Sequence, residues 1–204
     1  MLLYITNVSL RRKKINIFYL HSNIQICAEM HNDKHCIKMI LEYAQLLSTA
    51  HRFLDGTQFT GLRESGRKKV KYVLPDSRES ILYSATHINH PSAIWCRQSA
   101  VNYKWLYNLL VALCREYTFR YGRIHKVQSS GLMQVLYQIP NNIKQGTFTE
   151  PTPAMPDDVK VSGNSIASYR NYYRDYKQHL LSWKGKINSR PTPQWIFDPE
   201  LNNA

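Results

Sequence analysis

The chain has 204 residues, 43% of them hydrophobic, which suffices for a single substantial core and excludes a disordered chain. Lysine and arginine outnumber aspartate and glutamate by 27 to 14, a formal charge of +13, and that excess points to a polyanionic partner. The positive charge is interleaved with Tyr, Trp and Asn rather than gathered on one greasy-faced helix, which favours nucleic acid, DNA above all, over a membrane surface.

Residues 1–14 read as an extension: a short extra strand, a basic arm that touches phosphates, or the product of an upstream start codon. Their apolar run precedes the positive cluster, the reverse of a secretory signal, and no apolar stretch there approaches a membrane span. Residues 15–197 are expected to form one domain and 198–204 a tail. Ile15 to Leu20 is a buried strand or an extended lead-in, followed by a short helix from about Asn23 to His31. From Asp33 a long helix is predicted, capped by Asp33, with Ile37, Ile40, Leu41, Ala44 and Leu47 at helical spacing facing the core. Asp55 to Ser84 loses apolar periodicity and reads as a long loop with a basic run, Arg67, Lys68, Lys69 and Lys71, and a possible hairpin at Val70 to Leu74.

His90 precedes Pro91 at the first position of a helix predicted to run unbroken to Tyr121, where Gly122 stops it. A further helix covers about Ser129 to Tyr137. The prolines between Pro140 and Val161 exclude regular helix and predict an extended strap. The last helix is expected over Ser165 to Trp183, after which Trp195 and Phe197 dock on the body. The fold class is therefore mainly α: a compact helical bundle with long loops, a proline-rich strap and one short hairpin. Cys27, Cys36, Cys96 and Cys114 fall in core-like runs and are expected as reduced thiols in a cytoplasmic setting.

Lys34, Lys38, Glu42 and Gln45 fall near one stripe of the Asp33 helix, as they would on a cleft-lining helix; the competing reading is a solvated face with Lys38 and Glu42 as a surface pair. Cys27, His31 and His35, with His87 and His90, have loose metal-ligand spacing, but no CxxC or HExxH accompanies them, and no metal or cofactor is expected. Hydrolase elbows, phosphate-binding loops and GxGxxG are missing. Arg97, Arg120, Arg170 and Arg174 supply expected phosphate contacts, with Arg97 and Arg120 as clamps. His35, His90, Ser99 and Asn102, with Trp95, form the expected base-contacting set. Tyr169, Tyr172, Tyr173 and Tyr176 read as core packing, in competition with base stacking. Base chemistry requires an extruded base, a carboxylate and an amine. Asp33 or Glu42 is the candidate acid or base, and Lys34 or Lys38 the candidate amine or phosphate anchor.

The runs DKHxxKMxxExAQxLSTAH, NHPSAIWxRxSxxNYxWL, ALCxEYTxRYGxxH, AMPDxxK and SYRNYY, spread over Ile15 to Trp195, resemble a family of small phage proteins. More distantly, INIFYL, AEMHNDKH and the helical layout resemble the endonuclease V type of pyrimidine-dimer DNA glycosylase. That second resemblance implies a repair enzyme with an amine nucleophile at its chain terminus, a glutamate on its first helix and a basic surface on kinked duplex. Glu29, Asp33 and Glu42 compete for the glutamate, and the extension displaces the terminal amine, so either the chain starts too early, or lyase activity is lost, or a lysine takes the amine's place. Together these point to a DNA glycosylase-like hydrolase acting on damaged or modified pyrimidines in phage DNA. It is expected as a monomer in the host cytoplasm, with no membrane and no obligate protein partner. The alternatives are a non-catalytic nucleic-acid-binding protein and an enzyme of nucleotide metabolism.

Overall fold

The computed structural model describes residues 15–62, 64–66 and 68–203; the expected extension and Arg67 of the basic run lie outside them. The architecture is mainly α. Helix α1 (Ile24–Met30) begins where the Asn23 side chain accepts from the Ile26 N–H. Helix α2 (Asp33–Asp55) is capped by Asn32 and not by Asp33: the Asn32 oxygen accepts the His35 N–H at 2.8 Å. Asp33 is the first helical residue, so its carboxylate is left for partners elsewhere.

A hairpin of β1 (Thr57–Leu62) and β2 (Lys68–Val73) follows, longer than the segment expected at Val70 to Leu74. The short α3 (Arg78–Ile81) leads to α4 (Pro91–Gln98), with His90 as its cap and Pro91 at its start. The expected long helix is broken at Ser99, whose backbone is extended (φ −148°, ψ 155°) and whose hydroxyl accepts the Asn102 N–H to start α5 (Ala100–Tyr121) afresh. Gly122 closes α5 at φ +64°, a left-handed conformation that suits glycine. The helices α6 (Lys126–Ser129), α7 (Leu132–Tyr137) and α8 (Ser165–Tyr176) complete the set. α8 ends before Trp183, and a 3-10 turn at Gln178–Leu180 follows it.

Helices α2 and α5 pack on each other, with α1 against α5 and α4 against both. The core takes Met39, Ile40, Tyr43 and Leu47 from α2 and Tyr103, Leu106, Leu109 and Leu110 from α5, each large side chain contributing about 1.5–3 kcal/mol by burial. Ile37 and Leu41, expected in this stripe, are each 40% exposed; α2 is rotated so that Cys36, Met39 and Tyr43 face inward instead. Ile15 to Leu20 is a buried extended lead-in outside any sheet. Side chains satisfy part of its backbone: Tyr43 Oη accepts from the Phe18 N–H, and Arg170 Nε donates to the Leu20 carbonyl.

The strap from Pro140 to Val161 has one 3-10 turn, Asp157–Val159, and is tied down by Asn16 Nδ2 and Tyr169 Oη, which donate to the Ala154 and Thr152 carbonyls. Trp195 docks in the core as expected, whereas Phe197 is 76% exposed. All four cysteines are buried free thiols, and burial pushes the Cys27 thiol up to about 11. No described helix is long and apolar enough to cross a membrane.

Candidate nucleic-acid interface

The start of α2 is a structural junction. Asp33 accepts from Arg120 Nη1 at 3.1 Å, from the Ser182 hydroxyl at 2.7 Å and from the Lys184 and Gly185 N–H groups at 3.0 and 3.2 Å. Its carboxylate therefore fastens the C-terminal segment to the ends of two helices, and its lone pairs are engaged. Arg120, expected as a phosphate clamp, is fully buried: Nε meets Glu116 at 2.7 Å, while Nη1 and Nη2 donate to the His31 and Glu29 carbonyls. It cannot reach a phosphate.

Four of the five residues of the expected base-contacting set, all but His90, are turned inward. His35 lies 4.2 Å from Phe18, ring centre to ring centre and nearly parallel, and bonds the Tyr173 hydroxyl; burial, with the His31 ring adding to it, holds its pKa well below the usual histidine value. Trp95 is buried and donates to the Thr149 carbonyl at 2.9 Å. Asn102, also buried, accepts the Thr149 N–H at 3.0 Å and donates to its hydroxyl at 2.9 Å. Ser99 caps α5 and donates to the Thr147 carbonyl. These four side chains hold the fold, three of them by clamping the strap. Arg170 is likewise buried, donating to the Leu20 and Leu201 carbonyls. Arg174 is half-buried, with Nε 3.0 Å from Asp175 and Nη2 3.1 Å from Asn171. Tyr169, Tyr172 and Tyr173 are core residues, and Tyr176 is 42% exposed.

Lys34 and Lys38 do lie at the surface, where Lys38 Nζ sits 2.8 Å from Glu42, itself 8% exposed. Among the described residues no three metal-ligating side chains come together; His31 Nε2 is held by Tyr43 Oη at 3.0 Å.

The charge is sorted by residue type. Arg52 pairs with Glu79, Arg78 with Asp55 and Asp76, Arg120 with Asp33 and Glu116, and Arg190 with Glu29 and Glu116. These partly or wholly buried arginines engage six of the fourteen acids, Glu29, Asp33, Asp55, Asp76, Glu79 and Glu116. Lys34, Lys68, Lys104, Arg115, Arg123, Lys126, Lys144, Lys184 and Lys186 are exposed and make no ion pair among the described residues. The formal excess is therefore displayed on the surface.

The β1–β2 hairpin concentrates part of it. Every residue of β1 is exposed. The register pairs Phe59 with Lys71 and Leu62 with Lys68, so cations stand opposite exposed apolar side chains on alternate faces. The arm is rooted on α2: Tyr72 packs against Phe53 with ring centres 5.5 Å apart, Arg52 Nη1 donates to the Tyr72 carbonyl, and Glu79 accepts the Leu74 N–H at 2.8 Å. The first strand of this arm, TQFTGL, gives no signal in the sequence, because it has no apolar face to bury and so no alternation.

Of the concavities, one of about 790 Å³ lies between His87 to Pro91 and Pro153 to Pro156, with Lys160 in its lining. His90 lines it, and His87 adopts φ +50°, a left-handed backbone unusual for a side-chain-bearing residue. No carboxylate lines it, and neither do Asp33, Glu42, Lys34 or Lys38. A smaller cavity adjoins Arg97. No family model, curated protein or solved structure matches the chain.

Proposed function

We propose that the protein binds duplex DNA through its lysine-rich surface, with the β1–β2 hairpin as a groove-entering arm, and that binding does not require a reaction. The observation that carries this reading is the arm itself: six exposed residues of β1 paired with a lysine-bearing strand, on a body in which internal arginines hold six of the fourteen acids. The major groove of B-form DNA is about 12 Å wide and admits a two-stranded ribbon, whereas the deep, narrow major groove of A-form RNA does not. Six residue pairs span about 20 Å, long enough to follow the groove, and uncompensated lysines supply the phosphate contacts that hold it there.

The glycosylase reading has one observation in its favour, the Lys38 amine beside the Glu42 carboxylate at the surface, an amine and acid of the kind that base excision uses. It lacks support at the large cavity, where a flipped base would fit by size but finds no acid. The two readings separate in one assay. The protein is incubated with undamaged and ultraviolet-irradiated duplex, then treated with borohydride and scored for abasic sites. A binding protein retards both duplexes and yields neither adduct nor abasic site. A trapped adduct that disappears in Lys38→Arg would replace this reading with the enzymatic one.

A further inference from the structure

Arg97 lies in the last turn of α4, beside the root of the hairpin. Its guanidinium lies over the Phe53 ring, 4.1 Å from the centroid, and Phe53 also meets Tyr72 of β2, with ring centres 5.5 Å apart. Among the described residues no carboxylate pairs with Arg97, and Nη1 is shut off from water without an acceptor. Burial lowers its pKa from the usual arginine value. The other enclosed arginines differ: Arg52 donates to four backbone carbonyls and Glu79, Arg120 to two carbonyls and two carboxylates, and Arg170 to two carbonyls, while Arg174, whose Nη1 also lacks an acceptor, pairs with Asp175. A native guanidinium held this way calls for an explanation.

Nη1 is out of a ligand's reach as well as water's, so a ligand would meet this charge through the rest of the guanidinium. Arg97 lines a cavity of about 330 Å³ with Leu54, Ile94, Gln98, Asn142 and Lys144. Lys144 is exposed and unpaired among the described residues, so two cations and two amides line one concavity. The nearby acid does not compete, because the Asp55 oxygens are taken by Arg78 and by the Asn141 and Asn142 N–H groups. Phe53 holds the guanidinium plane in place, as suits a fork-shaped donor that grips an oxyanion by two parallel hydrogen bonds.

We propose that the Arg97 cavity is a phosphate seat, in which Arg97 supplies the fork, Lys144 a second positive charge and Gln98 a neutral donor. Its occupant is a phosphodiester of the DNA backbone, set against the base of the hairpin arm; that choice of occupant rests on the DNA-binding reading above, while the seat itself does not. A free phosphate or a 5′-nucleotide offers the same oxyanion chemistry, and the test separates the sources.

The experiment uses the full chain, Arg97→Met, which keeps an apolar stem on Phe53, and Arg97→Lys, which keeps the charge without the fork. Thermal unfolding is recorded without phosphate and with inorganic phosphate at tens of millimolar, against chloride at matched ionic strength. Binding to a short duplex is then followed by fluorescence anisotropy. Phosphate is expected to raise the Tm of the wild type and not of Arg97→Met, with Arg97→Lys between them, while Arg97→Met keeps the wild-type Tm in phosphate-free buffer. Duplex affinity of Arg97→Met is expected to fall five- to tenfold. An equal phosphate shift in Arg97→Met, or a wild-type Tm that ignores phosphate, overturns the seat. A phosphate shift abolished in Arg97→Met with unchanged duplex affinity overturns the backbone occupant in favour of a free phosphate. Wild-type protein that responds to phosphate but binds no duplex overturns the DNA-binding reading and leaves the seat standing.

Discussion

Arg120 Nη1 lies 3.1 Å from a carboxylate oxygen of Asp33, joining the last turn of α5 to the first residue of α2. The same guanidinium holds Glu116, whose second oxygen is gripped by Arg190; burial opposes ionisation of Glu116, but Arg190 and Arg120 outweigh it and hold the carboxyl below its usual range. Removing one partner from a buried network of this kind leaves an uncompensated charge and costs about 3–5 kcal/mol.

Arg120→Met is therefore expected to lose about 3–5 kcal/mol in urea unfolding, and Asp33→Asn about 1–3 kcal/mol, because the amide keeps one acceptor for the Ser182, Lys184 and Gly185 donors. Folded Asp33→Asn should bind duplex DNA within twofold of wild type. A stable Asp33→Asn protein with lost function would give Asp33 a role in chemistry instead.

Acid should destabilise the fold before its carboxylates titrate. Burial lowers the pKa of His31 and of His51 from 6.5 to about 4, and His51 is held between Tyr103 Oη and Arg78 Nη1. Between those values the unfolded chain binds a proton that the folded chain refuses, so stability is present above pH 6.5 and lost as pH falls towards 4. Each histidine should cost roughly 2 kcal/mol by pH 5. Urea midpoints at pH 7.5 and pH 5.0 check this; a midpoint unchanged at pH 5.0 contradicts the neutral buried histidines.

Asn102→Leu tests the clamp on the strap. It leaves the Thr149 N–H and hydroxyl without their partner, which costs about 1–3 kcal/mol. Limited proteolysis should then cut first between residues 140 and 161, while wild type resists at the same protease concentration. Cleavage beginning in the 57–73 hairpin for both proteins would mean that Asn102 does not secure the strap.

Much of the fold was legible because its signals are local. Pro91 at a helix start, Gly122 at a helix end and the prolines of the strap act through their own backbones. The break at Ser99 was hidden because apolar periodicity continues through it, although a serine three residues before Asn102 could have marked a new cap. The candidate site was less legible, since its meaning depends on distant partners. Asp33 meets Ser182 across 149 residues, and Arg120 meets it across 87. Spacing placed polar groups on a stripe of α2, but the segment that covers Asp33 is the C-terminal one, and nothing in the α2 sequence announces it. Arg97, by contrast, was selected as a cation in the sequence and is the one expected clamp that the fold leaves at a cavity.

The central claim is that the hairpin arm carries duplex binding, and the most direct measurement is the salt dependence of affinity for wild type and for the Lys68→Ala, Lys71→Ala double variant. Both lysines are exposed, and Lys71 makes only a loose 3.7 Å approach to Glu79, so unfolding free energy should change by less than about 0.5 kcal/mol. Wild-type affinity should fall steeply with salt, and the slope of log K against log salt should shrink by about 2 in the double variant, one phosphate contact per lysine. Duplex binding with an unchanged slope, or binding indifferent to salt in the wild type, would contradict the account.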